Sequence, residues 1–235
     1  KSGTWPLVYP LTTLDNSLRF NSASTDYLNR TNGTPTGTTK YTFSTWLKRS
    51  KLTSRGQFLR VINPASTATY TFLETDGNNF FGFNDYNGSS SINFQTTAVY
   101  RDVSAWYHLV LIVDTTQATS TDRWKFYVNG VQVTSFAIAN YGTLNQVVTA
   151  TASGKDVNIG GDPVGAGATR KFDGYMADVY FIDGQALTPT DFGATYPSGI
   201  WGPKAYAGTY GTNGFFLEFQ NAAALGEDSS TNGND

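Results

Sequence analysis

AWYHLVLIVDTTQATSTDRWKFYVNGVQVT, residues 105–134, spells out three strands and the turns between them. From Trp106 to Val113 nearly every position is apolar, so neither alternate set of side chains belongs in water, and the stretch reads as a central strand covered on both faces. From Trp124 to Val128 the pattern alternates: Trp124, Phe126 and Val128 share one face and Lys125 and Tyr127 the other, as in a half-buried strand with one wet face. Asn129-Gly130 then separates Tyr127-Val128 from Val131-Gln132-Val133. Both turn residues tolerate positive φ, so this dipeptide predicts a two-residue hairpin. Burying a Trp or Phe is worth about 2 to 3 kcal/mol, which makes Trp106, Trp124 and Phe126 the expected anchors of a core between two sheets.

The rest of the 235-residue chain agrees with this β reading. Aromatics make up 15% and charged residues 14%, with 24 Gly among many Thr, Asn and Ser; that balance favours strands joined by tight turns over helices. A net charge of −2 without a run of Lys or Arg removes the electrostatic footprint of a nucleic-acid binder. No apolar run approaches the roughly 18 residues of a membrane-spanning helix, and Lys1-Ser2-Gly3-Thr4 does not begin a signal peptide. We therefore expect a soluble domain without membrane insertion, and the missing initiator Met suggests a processed chain or fragment. The absence of Cys excludes disulfides and thiolate chemistry.

In chain order, Trp5-Pro6 and Tyr9-Pro10 hold residues 1–16 as an extended arm, since proline cannot donate to a ladder. Short strands follow at Leu18-Arg19-Phe20 and Asp26-Tyr27-Leu28, then a polar loop over 29–39 leads into Tyr41 to Lys48. Further strands are expected at Gln57 to Ile62, Thr69 to Glu74, Phe80 to Asn84, Ser91 to Thr96, Ala98 to Arg101, Val157 to Ile159 and Phe172 to Asp183. Residues 137–150 are ambiguous and 160–169 form a glycine-rich loop. Thr188, Pro189 and Asp191 cap a single helical turn near 188–194. The prediction is an all-β, two-sheet antiparallel β-sandwich over 17–195, with a C-terminal extension over 196–235 that carries one more strand near Phe215. Leu217 to Ala222 echoes Leu18 to Ala23, as the start of a second module would.

An ordered set of motifs resembles the concanavalin A-like jelly roll, in its laminin-G and pentraxin-like branch: Phe43 to Lys48, Trp106 to Val110, Phe126 to Gly130, Asn158 to Gly161, and Phe172 to Val179 through Ala186-Leu187-Thr188. Trp201-Gly202-Pro203-Lys204, Tyr210 to Phe215 and Asp228 to Asp235 further resemble bacteriophage virion proteins that carry such domains. The resemblance implies a non-enzymatic structural or adhesion module on a tail fibre, spike or capsid surface, located on the virion or outside the cell. Its implied partners are other virion subunits, further copies of the same chain, and host glycans. A free-standing lectin and a polysaccharide hydrolase are the alternatives.

Hydrolases of this fold need two or three carboxylates on one strand face, because cleavage requires an acid and a nucleophile or base. The chain has three Glu residues, Glu74, Glu218 and Glu227, and none has a second carboxylate two residues away inside a predicted strand. Asp173, Asp178 and Asp183 are five apart, so neighbours fall on opposite faces. Catalytic residues are therefore not expected. His108, the sole histidine, lies inside an apolar strand and reads as a packed, hydrogen-bonded group. Pentraxin-like relatives bind calcium in the loop after the strand matching Val157 to Gly160. Asp162 falls on an acidic position there, and Asp162 and Asp173 are the candidate ligands of a single ion. Pro163 and Val164 supply no side-chain oxygen where calcium needs about six to eight, so the fold is expected to form without a cofactor. Tyr86, Tyr141 and Trp201 are the candidate sugar-stacking aromatics. Trp5, Tyr9, Trp201, Tyr206, Tyr210 and Phe215, outside the jelly-roll motifs, are expected to bury against another chain.

Overall fold

A computed structural model of the protein describes residues 13–24, 26–161 and 170–234. Its strands are β1 (Leu18–Phe20), β2 (Leu28–Thr31), β3 (Lys40–Arg49), β4 (Gly56–Asn63), β5 (Ser66–Thr75), β6 (Phe81–Tyr86), β7 (Ser91–Thr96), β8 (Tyr107–Asp114), β9 (Trp124–Val128), β10 (Val131–Gln132), β11 (Phe136–Tyr141), β12 (Asp156–Ile159), β13 (Gly174–Asp183), β14 (Gly193–Thr195), β15 (Trp201–Pro203) and β16 (Phe215–Leu217). The first sheet runs β1-β13-β3-β8-β9-β10, with β16 also on β13; the second runs β11-β7-β6-β5-β4-β12-β2. Strands β14 and β15 pair by themselves. The predicted helical turn is a 3-10 turn at Pro189–Asp191, held by the Thr188 amide donating to Asp191 Oδ2 at 2.8 Å.

The sandwich closes around Leu109, Leu111, Val113, Trp124 and Phe126 of the first sheet and Leu73, Phe81, Phe83 and Phe94 of the second, all buried. Phe94 lies 4.8 Å from Trp124 and 4.9 Å from Phe126 between ring centroids, so the two sheets meet on aromatic faces, each such pair adding about 0.5–1.5 kcal/mol beyond its buried area. Asn129 and Gly130 both have positive φ, 51° and 77°, and the predicted hairpin forms with Val131 opposite Val128. Trp106 differs from expectation: it precedes β8, is only partly buried, and Tyr107 packs against the core in its place.

The alternate residues of β8, Val110 and Ile112, point to the outside of the sandwich and are buried too, in a second cluster with Tyr180, Ile182, Phe192 and Tyr210. Tyr206, Phe216 and Tyr127 pack on it, so the expected wet face of β9 is covered at Tyr127. Tyr180 stacks on Phe216 at 4.2 Å. The C-terminal aromatics are thus satisfied within the same chain, which corrects the expectation that Tyr206, Tyr210 and Phe215 bury against a neighbour; Trp5 and Tyr9 lie outside the described residues. Strand β16 adds to β13, with Val179 opposite Leu217 and Phe181 opposite Phe215, while β1 occupies the earlier half of the same edge, Leu18 opposite Met176. The echo between the two segments marks two strands laid end to end along β13. They meet at a register shift where Asp178 takes φ 46°.

The polar tail is also held from within. Asp228 accepts from the Phe216 amide (2.9 Å) and the Asn234 amide (2.7 Å), and Asn234 Nδ2 donates to the carbonyls of Thr212 and Gly214. Two further differences are local. Strand β2 starts at Leu28 and runs into the expected loop, and Ala98 to Arg101 forms no strand. In that segment the backbone is used otherwise: the Tyr100 amide donates to Asn79 O, and Arg49 Nη1 donates to Tyr100 O.

Candidate functional site

The outer face of the second sheet carries a groove of about 470 Å³ lined by Arg55, Phe72, Glu74, Asp76, Asn84, Asn93, Gln95 and Ile138, among others. Strand register builds it. Glu74 pairs with Gly82, Gly82 with Gln95 and Gln95 with Ile138, forming one row across β5, β6, β7 and β11. Phe72, Asn84, Asn93 and Asn140 form the next row. Side chains two apart on a strand share a face, so both rows look outward while Phe81, Phe83 and Phe94 fill the core.

Phe72 forms one wall, its ring 5.8 Å from Tyr70 and nearly parallel to it, and Ile138, half exposed, forms the other. The floor between them is amide-rich and deepened by Gly82. A Cβ there would come no nearer than 3.8 Å to any neighbour, so the gap is space left open and not a backbone requirement. Asn84 Oδ1 accepts from Ser91 Oγ at 2.9 Å, which leaves its Nδ2 hydrogens for a ligand. Asn93 Oδ1 is buried with no hydrogen-bond partner. An open amide N–H at Asn84 beside an aromatic wall suits hydroxyl groups on a ring with an apolar face.

Glu74 and Asp76 both line this groove, two residues apart. β5 ends at Thr75, so Asp76 lies just past the strand. Their oxygens are occupied. Glu74 Oε1 is bonded by Arg55 and Oε2 by Gln57 Nε2 at 3.0 Å. Asp76 Oδ1 accepts the Asn78 and Phe80 amides at 2.9 and 3.0 Å, and Oδ2 accepts Gln95 Nε2 at 3.1 Å. Both carboxylates are thus engaged in internal bonds that shape the groove.

The sequence-predicted residues fall in separate places. Tyr86 lies on the groove's own face, opposite Tyr70 and 5.7 Å from its ring. Tyr141, on the edge strand β11, stacks on Trp124 at 4.7 Å. Trp201 is on the other sheet's outer side, with its indole against Gly130 and His108. Asp173 receives Arg19 Nη2 and Ser22 Oγ, both at 2.7 Å; burial pushes its pKa up, but these bonds outweigh it and hold the carboxyl below the usual range. Asp162 lies outside the described residues. Among those described, no group of three or more His, Asp or Glu side chains gathers for a metal ion.

His108 is 1% exposed and stacked on Trp46 at 4.7 Å. Trp201 Nε1–H donates to its Nδ1 at 2.9 Å. Nδ1 is therefore the acceptor, and the neutral ring carries its proton on Nε2, which donates to Ser44 Oγ at 2.9 Å. A serine nucleophile needs the reverse arrangement, with Nε2 accepting and Nδ1–H held by a carboxylate. Burial drives the His108 pKa down to about 3, so the ring stays neutral.

A second cleft, of about 480 Å³, opens between β2, β12 and β16. Its walls are Leu28, Val157, Ile159, Phe215 and Leu217, and its polar rim is tied internally: Arg30 donates to Asn213 O and Asn234 Oδ1, and Asn221 to Glu227.

Two seven-stranded antiparallel sheets, with a polar groove on the outer face of one, define a sandwich of the lectin and binding-module type. Residues 22–191 match the concanavalin A-like lectin/glucanases superfamily, and the chain belongs to it. Among solved structures it is similar to the native heptameric SAP-like pentraxin from Limulus polyphemus, with a TM-score of 0.52 and 16% identity over 73% of this chain and 77% of that one. It is also similar to domains LG4-5 of the mouse laminin α1 chain, with a TM-score of 0.52 and 12% identity over 78% of this chain and 50% of that one. No curated protein matches the chain.

Proposed function

We propose that this chain is a non-enzymatic glycan-binding module whose binding surface is the groove on the outer face of the second sheet. The observation that carries this reading is the convergence on one face of an aromatic wall at Phe72, amide side chains at Asn84, Asn93 and Gln95, and a floor left open at Gly82. The engagement of Glu74 and Asp76 in internal bonds supports binding without cleavage. The proposed setting is the surface of a phage particle, where the module would serve adhesion to host glycans; the resemblance of Trp201 to Lys204 and of the C-terminal segments to virion proteins supports it. A free lectin would use the same groove.

The test is a panel of host polysaccharides and oligosaccharides, scored by titration calorimetry for binding and by reducing-end release for cleavage. Binding without release is expected. Gly82→Leu should abolish it by filling the floor, and Phe72→Ala should weaken it, each with an unchanged melting profile above room temperature. Release that disappears in Glu74→Gln or Asp76→Asn would overturn the non-enzymatic reading. Full binding by Gly82→Leu would move the site elsewhere.

A further inference from the structure

We infer that the groove takes a linear, uncharged glycan laid across the strands, and that it discriminates against uronic, sialylated or sulfated chains. This rests on the glycan reading above and specifies its substrate class.

The charge balance is the first argument. The groove's lining holds one cation, Arg55, and two carboxylates, Glu74 and Asp76. Arg55 is ion-paired to Glu74 through Nη2, so the lining's one cation is outnumbered by its two carboxylates and an incoming anion meets a groove of net negative charge. The next cation on this face, Arg60, is turned onto the rings of Tyr70 and Phe72, its guanidinium carbon 5.1 and 5.9 Å from their centroids. Recognition of a carboxylate or sulfate ordinarily uses a guanidinium fork facing the ligand. Here every other polar liner of the floor is an uncharged amide, Asn78, Asn84, Asn93 or Gln95, able to donate to and accept from hydroxyls.

Direction and length follow from the register. The rows Phe72-Asn84-Asn93-Asn140 and Glu74-Gly82-Gln95-Ile138 each cross four strands. At about 4.8 Å between neighbouring strands, three steps separate the Phe72 and Ile138 walls by about 14 Å. One pyranose cannot touch both walls, so the site is built for several consecutive rings, each passing over one or two strands. The carboxylates are tied into internal bonds that shape the groove, so binding should be independent of calcium.

The experiment titrates the full chain with three probes: neutral linear hexasaccharides of glucose, mannose and xylose, the corresponding monosaccharides, and oligogalacturonates and sialylated oligosaccharides of matching length, each with calcium and with chelator. At least one neutral hexasaccharide should bind roughly tenfold more tightly than any acidic probe, the scale of one like-charge contact in a partly desolvated groove. Monosaccharides should bind far more weakly, and chelator should change nothing. The gap between neutral and acidic probes should narrow as sodium chloride is raised, because salt screens the carboxylate charge of the groove. Acidic probes binding as well as neutral ones, or monosaccharides binding as well as hexasaccharides, would overturn this inference and leave the glycan module standing. Failure of all probes, neutral and acidic alike, would overturn the glycan reading itself.

Discussion

Asp85 makes the stability of this domain fall as pH rises from about 4 to 6. Its carboxyl is fully buried beneath the 148–151 segment, where it accepts from Thr71 Oγ1 at 2.7 Å, from the Thr149 amide at 2.9 Å and from the Ala150 amide at 3.2 Å. Burial is the largest influence and pushes its pKa up from 3.8 to about 6, against the opposing pull of these hydrogen bonds. Between those two values the folded chain holds a proton that the unfolded chain has released, so stability declines with pH across that window. A shift of about two pK units at about 1.4 kcal/mol each gives a loss on the order of 3 kcal/mol. Asp178, pushed up to about 7 by burial and then by Glu218 and Asp15, extends the decline to near neutrality. Asp114 and Asp173 lie below the ordinary carboxylate range, so their contributions are lost only below about pH 4 and do not mask the effect. Urea denaturation at pH 4.5, 6 and 7.5 measures it. In Asp85→Asn the amide oxygen at the Oδ1 position still accepts from the Thr149 amide and the Thr71 hydroxyl can turn to accept from Nδ2, while the Ala150 amide loses its acceptor, so the variant should flatten the profile by removing the titrating group. A wild-type stability that climbs from pH 4.5 to 7.5, or an unaltered profile in Asp85→Asn, would refute the reasoning.

Trp201→Ala should cost about 3 kcal/mol or more as a large-to-small change; by opening His108 to water it should also raise the His108 pKa from about 3, read by NMR titration, and an unmoved titration would contradict the role given to the indole. Gly160→Ala should lower the unfolding free energy measured in urea by well over about 1 kcal/mol, because φ is +87° and a Cβ would fall 2.1 Å from the Phe20 ring, a conformation and a space that only glycine suits. Thermal melts in calcium and in chelator should coincide, since Asp173 is spent on Arg19 and Ser22; stabilisation beyond about 2 kcal/mol at saturating calcium would reveal a metal site.

The sandwich was legible wherever the signal was local. The apolar run ending at Val113, the alternation of Trp124 to Val128 and the Asn129-Gly130 turn each depend on neighbours a few residues apart, and each forms its strand or turn, although Trp106 falls before β8 and Tyr127 is covered. The groove was not legible in this way. Period two places Phe72, Asn84, Asn93 and Asn140 on one face of four different strands, but only the registers of β5, β6, β7 and β11 align them in a row. Glu74 and Asp76 meet in the groove because Asp76, just past the end of β5, is held by the Asn78 and Phe80 amides and by Gln95 of β7. That Trp201 caps His108, 93 residues away, and that Tyr206, Tyr210 and Phe216 cover the chain's own first sheet, was decided by packing. An apolar pattern states that a side chain must leave water; it carries no information on which surface, of this chain or another, will receive it, because burial is non-directional. The hydrogen-bond ladders and interlocking rings of the folded sandwich supply that choice.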